Sequence, residues 1–125
     1  MSEFKIEVFQ CGKPVSELEA LAEVTGGWHA RQIVIALTAP GGGQYDRGVV
    51  CWIRSQLEGF KDMECHMTYE PREKRIQTAD DLGIAVNTSE APDTELTIEC
   101  RIPGKDALCQ RPIRLKAGNL QTVDA

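Results

Sequence analysis

An α+β fold, an antiparallel sheet with helices packed on one face, is the class predicted for this chain by three observations. Short stretches alternate apolar and polar residues: Phe4, Ile6 and Val8; Met63, Cys65, Met67 and Tyr69; Leu96, Ile98, Cys100 and Ile102. Between them, apolar residues recur at three and four, most clearly at Val49, Val50, Ile53, Leu57 and Phe60. A glycine-rich stretch, Thr38-Ala-Pro-Gly-Gly-Gly-Gln-Tyr-Asp-Arg-Gly48, stands where a strand would pass into that helix.

Taken in order, Phe4 to Val8 forms a first strand that ends near Cys11-Gly12. Pro14 and Ser16 open a short helix, Glu17 to Val24, with Leu18, Leu21 and Ala22 on one side and Gly26-Gly27 as its stop. The β-branched run Gln32 to Leu37 is a second strand. The central helix follows the glycine turn and runs to Phe60, with Asp46 placed to accept its first free amides. Met63 to Tyr69 is a third strand, Glu70 to Lys74 a charged turn, and Arg75-Ile76-Gln77 the return of a hairpin. Thr78-Ala-Asp-Asp81 has the form of a capping box and predicts a helix from Ala79 to about Val86. Asn87 to Asp93 reads as a loop and Thr94 to Ile102 as a strand. Pro103 to Asp106 then turns the chain into an edge strand at Pro112 to Lys116, protected by proline and alternating cations.

At 125 residues the chain is sized for a single core. Its expected division is an N-terminal strand–helix extension (1–28), the main domain (29–118) and a flexible tail (119–125). A net charge of −5 gives no general attraction to nucleic acid. The apolar runs are too short to span a membrane and the N-terminus lacks a signal-peptide shape, so the expected location is the cytoplasm. The five cysteines form no Cys-x-x-Cys pair and no metal-like spacing, and Cys51, Cys65 and Cys100 are expected as buried free thiols. Gly41-Gly42-Gly43 lacks the ending of a phosphate loop and the spacing of a dinucleotide turn. With no paired nucleophile and base either, the expectation is a non-enzyme with no metal or cofactor.

The order strand, glycine turn, helix, hairpin, short helix, strand and Gly-x-Asp, from Gln32 to Ala107, resembles the histidine-containing phosphocarrier protein HPr of the sugar phosphotransferase system. Thr38-Ala-Pro-Gly-Gly resembles that family's turn before its active histidine, and Arg47 with Val49-Val50 the opening of its first helix. Leu57-Glu-Gly-Phe60 resembles that helix's exit, and Ala79-Asp-Asp-Leu82 the start of its second helix. The resemblance implies an HPr-like open-faced sandwich. It also implies a site at the mouth of the first helix, where a histidine takes a phosphoryl group stabilised by the helix N-terminus and an arginine.

Gln44 or Tyr45 occupies the histidine's position here, with Arg47 beside it, and Asp81 stands where a regulatory branch of the family carries its phosphorylated serine. The implied role is a regulatory or adaptor protein, not phosphorylated on histidine. It would dock a phosphotransferase-system enzyme, a kinase or a transcription regulator through a face that includes Val49, Val50, Ile53 and Arg54. Two alternatives stand beside it. One is a true phosphocarrier using His29, within His29-Ala30-Arg31, or a non-standard acceptor. The other is a small interaction protein that shares only the layout.

Overall fold

The structure is a computed structural model and describes residues 4–22, 27–38, 48–87, 93–104 and 106–117. Among these residues there is no helix. There are ten strands: β1 (Lys5–Gln10), β2 (Lys13–Pro14), β3 (Glu17–Ala22), β4 (Trp28–Thr38), β5 (Val50–Arg54), β6 (Met63–Glu70), β7 (Arg75–Thr78), β8 (Leu82–Val86), β9 (Thr94–Arg101) and β10 (Ala107–Ala117). Seven of them close on themselves in the order β4-β3-β10-β9-β5-β6-β7, and β7 pairs back onto β4. The α+β sandwich is therefore replaced by a closed β-barrel. In place of the three expected helices the described residues hold strands β3, β5 and β8, and residues 55–60 after β5 form a turn.

The physical reason is the period of burial. In β3, Leu18 and Ala20 are buried while Glu17 and Glu19 point away, an alternation of two. In β5, Cys51 and Ile53 enter the core together with the preceding Val49, while Trp52 and Arg54 lie on the other face. Counting Cys51 as a small hydrophobe gives Val49, Cys51 and Ile53 an alternation of two, with Val50 on the outer row buried as well. In β8, Leu82, Ile84 and Val86 face in, and Gly83 and Ala85 face out. Thr78, expected as a helix cap, is instead a buried residue of β7 whose hydroxyl accepts the Ile35 amide at 3.2 Å.

Strand β4 organises the barrel. One edge pairs with β3 at Trp28 and His29 and with β1 from Ile33 to Thr38; the other pairs with β8 from Trp28 to Ile33 and with β7 at Ala36 and Leu37. Between Ala30 and Ile33 the pairing with β8 slips, and Gln32 adopts φ 60°, so the strand carries a bulge that lets it serve four neighbours. Cys11 and Gly12, with φ of 55° and 78°, form a two-residue hairpin loop of the primed type between Gln10 and Lys13. The β6–β7 hairpin closes over residues 71–74, as the alternation predicts.

Residues 4–22 and 27–28, the described part of the expected N-terminal extension, are built into this barrel. β1 pairs with β4, β3 bridges β4 and β10, and Ile6, Val8, Leu18 and Ala20 belong to the same buried cluster as Ile33, Ile35, Leu37, Leu96, Ile98 and Leu115. The expected edge strand is an interior one. β10 runs antiparallel to β9 and parallel to β3, and Ile113 and Leu115 point into the core. Pro112, which has no N–H to donate, stands opposite Thr97 within this pairing.

Candidate functional site

Residues that alternate with core positions on β5, β9 and β10 make up the outer face of one barrel wall. Register pairs Trp52 with Glu64 on one side and with Glu99 on the other; Glu99 in turn faces Gln110. The adjacent cross-strand rows pair Val50 with Arg101 and Arg54 with Thr97. Four strands far apart in sequence thus bring an indole, two guanidinium groups, two carboxylates and an amide onto one surface.

Glu99 sits at the centre and is only 6% exposed, unusual for a carboxylate on the outside of a barrel. A buried charge must be paired and hydrogen-bonded, and this one is. Arg54 Nη1 donates to its Oε1 at 3.1 Å, Gln110 Nε2 donates to its Oε2 at 2.6 Å, and Arg101 Nη1 lies 3.6 Å from Oε1. The Arg54 guanidinium also covers the Trp52 ring, 5.0 Å from its centroid, which fixes the arginine between carboxylate and indole. Arg54 Nε is shielded from solvent and makes no hydrogen bond; its nearest opposite charge is Asp62 Oδ2 at 3.4 Å.

A cleft of about 580 Å³ opens beside this cluster, lined by Arg54, Asp62, Glu95, Thr97, Glu99 and Gln110 among others. Its floor is stiffened by Ser55, whose hydroxyl donates to the Glu95 carbonyl at 3.1 Å and accepts the Leu57 amide at 3.1 Å. A second, smaller hollow of about 330 Å³ is lined by Trp52, Arg101, Pro103 and Gly104 among others. Trp52, half-buried, lines this second hollow and stacks against Arg54, which lines the first.

The residues expected to form the site are dispersed. Gln44, Tyr45 and Arg47 lie outside the described residues. Asp81 is exposed in the bend between β7 and β8, where a strand and not a helix follows, so no helix dipole acts on it. Val49, Val50 and Ile53 are at most 2% exposed and unable to serve as a docking face. Arg54 alone of that group reaches the surface.

His29 lies half-buried on β4, with Nδ1 3.4 Å from Arg31 Nη2, and shares a cavity of about 340 Å³ with Asp81. The fold therefore brings His29 and Asp81 to one cavity. His66 is exposed, 3.8 Å from Glu64.

Trp52, Glu99 and Gln110 were not singled out by sequence. A glutamate at an alternating position of a clear strand, Leu96-Thr-Ile-Glu-Cys, signals only an outward side chain. Its burial depends on β5 and β10 lying on either side. Among the described residues, no group of three or more His, Cys, Asp or Glu side chains is arranged to hold a metal ion, and no helix is long and apolar enough to cross a membrane. Comparison of the chain with protein-family models, with curated proteins and with solved structures finds no match.

Proposed function

We propose that this protein is a non-catalytic adaptor, a small β-barrel that binds a protein partner through the wall around Trp52, Arg54, Glu99 and Gln110. The observation that carries the reading is the Glu99 cluster. A carboxylate held nearly dry on an outer face, with an arginine stacked over a tryptophan, is a pre-organised surface at which little side-chain freedom remains to be lost on binding. Tryptophan and arginine are also the residues that most often dominate binding energy at protein interfaces.

The cleft sets three carboxylates (Asp62, Glu95 and Glu99) against one guanidinium (Arg54), so the facing partner surface is basic or rich in amide donors. Trp52 supplies the apolar anchor. The proposal keeps the adaptor role expected from the sequence. It leaves out phosphoryl carriage at the glycine stretch, because that chemistry needs a helix N-terminus and the residues after Gly48 lead into strand β5.

A photo-crosslinking residue placed at Gln56, on the cleft, tests the reading against the same residue placed at Asp80, remote on the barrel. The Gln56 probe should capture a discrete partner, and Trp52→Ala should weaken binding of that partner, once purified, by about 2 kcal/mol or more. Capture that is equal from both positions, or unaffected by Trp52→Ala, would refute it.

A further inference from the structure

Four of the five cysteines, scattered at positions 51, 65, 100 and 109, form one row across the barrel wall. Register places Cys65 opposite Cys51, Cys51 opposite Cys100, and Cys100 opposite Cys109, on the neighbouring strands β6, β5, β9 and β10. Directly opposed residues share a face, and this row faces the core. Cys51 and Cys100 are fully buried, Cys65 and Cys109 partly, and all four are free thiols. The Cys100 thiol donates to the Met67 sulfur at 3.9 Å.

The three contacts in the row are not equivalent. The Met67 amide donates to the Val49 carbonyl at 3.0 Å, and Val50 faces His66, so that pair is of the non-hydrogen-bonded kind. Pairs alternate along an antiparallel ladder, so Cys51–Cys65 is hydrogen-bonded. The N–H and C=O of one strand residue point to the same side; those of Cys51 point to β6. On its other side, Cys51–Cys100 is therefore a non-hydrogen-bonded pair, in which the Cα atoms approach to about 4.5 Å and the side chains stand closest. By the same alternation Cys100–Cys109 is hydrogen-bonded, with Cα atoms about 5.5 Å apart. A disulfide needs close Cβ atoms, and of the three contacts the central one supplies them best.

We propose that the row is an oxidation site whose stable product is a Cys51–Cys100 disulfide, reached by thiol–disulfide relay from Cys109. The oxidant is a small-molecule disulfide such as oxidised glutathione, and the entry point is Cys109, the more accessible neighbour of Cys100. Cys109, whose thiol is held protonated by its contact with Cys100 and by burial, gives up its proton to solvent as it attacks one sulfur of the small disulfide, so this step quickens at alkaline pH; a mixed disulfide forms and one small thiol leaves. Cys100 attacks the Cys109 sulfur, forms Cys100–Cys109 and releases the second small thiol. Cys51 then attacks the Cys100 sulfur from the side opposite Cys109, an in-line displacement for which the straight row is arranged, and Cys109 leaves as a thiol. Two protein thiols lose two electrons and two protons, and one small disulfide becomes two thiols.

The test is to incubate the native full-length chain with oxidised glutathione, alkylate the remaining thiols, and map crosslinked peptides by mass spectrometry. The expected result is a loss of about 2 Da with Cys51 joined to Cys100, and Cys65 and Cys109 left as alkylatable thiols once the protein is unfolded. Cys109→Ala combined with Cys65→Ala should form the same bond about tenfold more slowly, because both partly exposed neighbours are then gone and the small disulfide has to reach a fully buried sulfur. In Cys51→Ala, checked for folding by circular dichroism, Cys100–Cys109 should accumulate instead. A final product of Cys100–Cys109 or Cys51–Cys65 in the unaltered chain, or four row thiols still free at equilibrium, would overturn the proposal.

Discussion

The carboxamide of Gln10 takes the place of a strand partner for Glu19. Its Oε1 accepts the Glu19 amide at 2.9 Å, and its Nε2 donates to the Glu19 carbonyl at 3.0 Å and, more weakly, to the Arg31 carbonyl at 3.4 Å. β1 and β3 share one edge of β4 without pairing with each other, and this side chain spans the gap. Strand edges left with unpaired N–H and C=O groups are costly, and a glutamine offers both complements at once.

Gln10→Leu keeps the side chain's bulk and removes both bonds to Glu19. It should lower stability by about 1–3 kcal/mol, read as a shift of the urea midpoint at unchanged slope. The Glu19 amide should lose its protection against hydrogen exchange, which an effect of bulk alone would not produce.

Thr78 performs the matching task on the other edge of β4, where β7 ends and β8 begins. Thr78→Val is close in shape but leaves the buried Ile35 N–H without its acceptor. The expected loss is about 1–3 kcal/mol, with Thr78→Ser milder because the hydroxyl is kept.

A chain that starts at Gly26 lacks β1 and β3 and with them Ile6, Val8, Leu18 and Ala20 of the core. It should fail to fold, giving poorly dispersed amide resonances and no cooperative melt. A stable, well-dispersed product would show that the barrel closes without its N-terminal strands.

Glu99→Ala removes the shared acceptor of Arg54, Arg101 and Gln110. Both arginines are about one-third exposed and can rehydrate, so the cost to stability should stay near 1–2 kcal/mol. Loss of the hold on Arg54 should loosen its stacking on Trp52, read as a shift in indole fluorescence.

The thiol row makes stability fall at alkaline pH. The Cys109 pKa is raised well above its ordinary 9.0 by the hydrogen bond with Cys100 and by burial. At Cys100 the hydrogen bond with Cys109 pulls downward, but the one with Cys51, together with burial and the nearby Cys51 and Glu99, outweighs it and the net shift is upward. A raised folded-state pKa means that the folded chain holds the proton more tightly than the unfolded one. Stability from these groups is full below about pH 9 and declines as pH rises beyond it. Urea midpoints compared at neutral pH and at about pH 10 should fall more steeply for the unaltered chain than for Cys109→Ala.

Several strands were legible because their alternation had no competitor. Thr94 to Ile102 and Met63 to Tyr69 carry β-branched, aromatic and sulfur side chains at every second position, and both are strands. Glu17-Leu-Glu-Ala-Leu-Ala22 alternates as well, but it is written in good helix formers, and Leu21 beside Ala22 completes a helical stripe. Val49 to Ile53 fits either period, because Val50 and Cys51 are both apolar, and Leu57 and Phe60 extend the helical match past the end of β5. In segments of five or six residues the two periods share most of their matches, and the arbiter is the neighbour across which a residue is buried.

The resemblance to a phosphocarrier was built on those ambiguous segments, and its expected helices are strands β5 and β8. Most of the core could be named from residue type and spacing: Ile6, Val8, Ile33, Ile35, Leu37, Leu96 and Ile98 are apolar at every second position, and each is buried. Outward positions could be named by the same alternation. What alternation leaves open is which strands become neighbours. That a β10 near the chain's end lies parallel to β3, that Glu99 meets Arg54 and Gln110, and that four separated cysteines fall into one row follow from long-range register. Register is set by the closure of the whole barrel, which requires every strand to bury its apolar face at once, and no local stretch of residues encodes that condition.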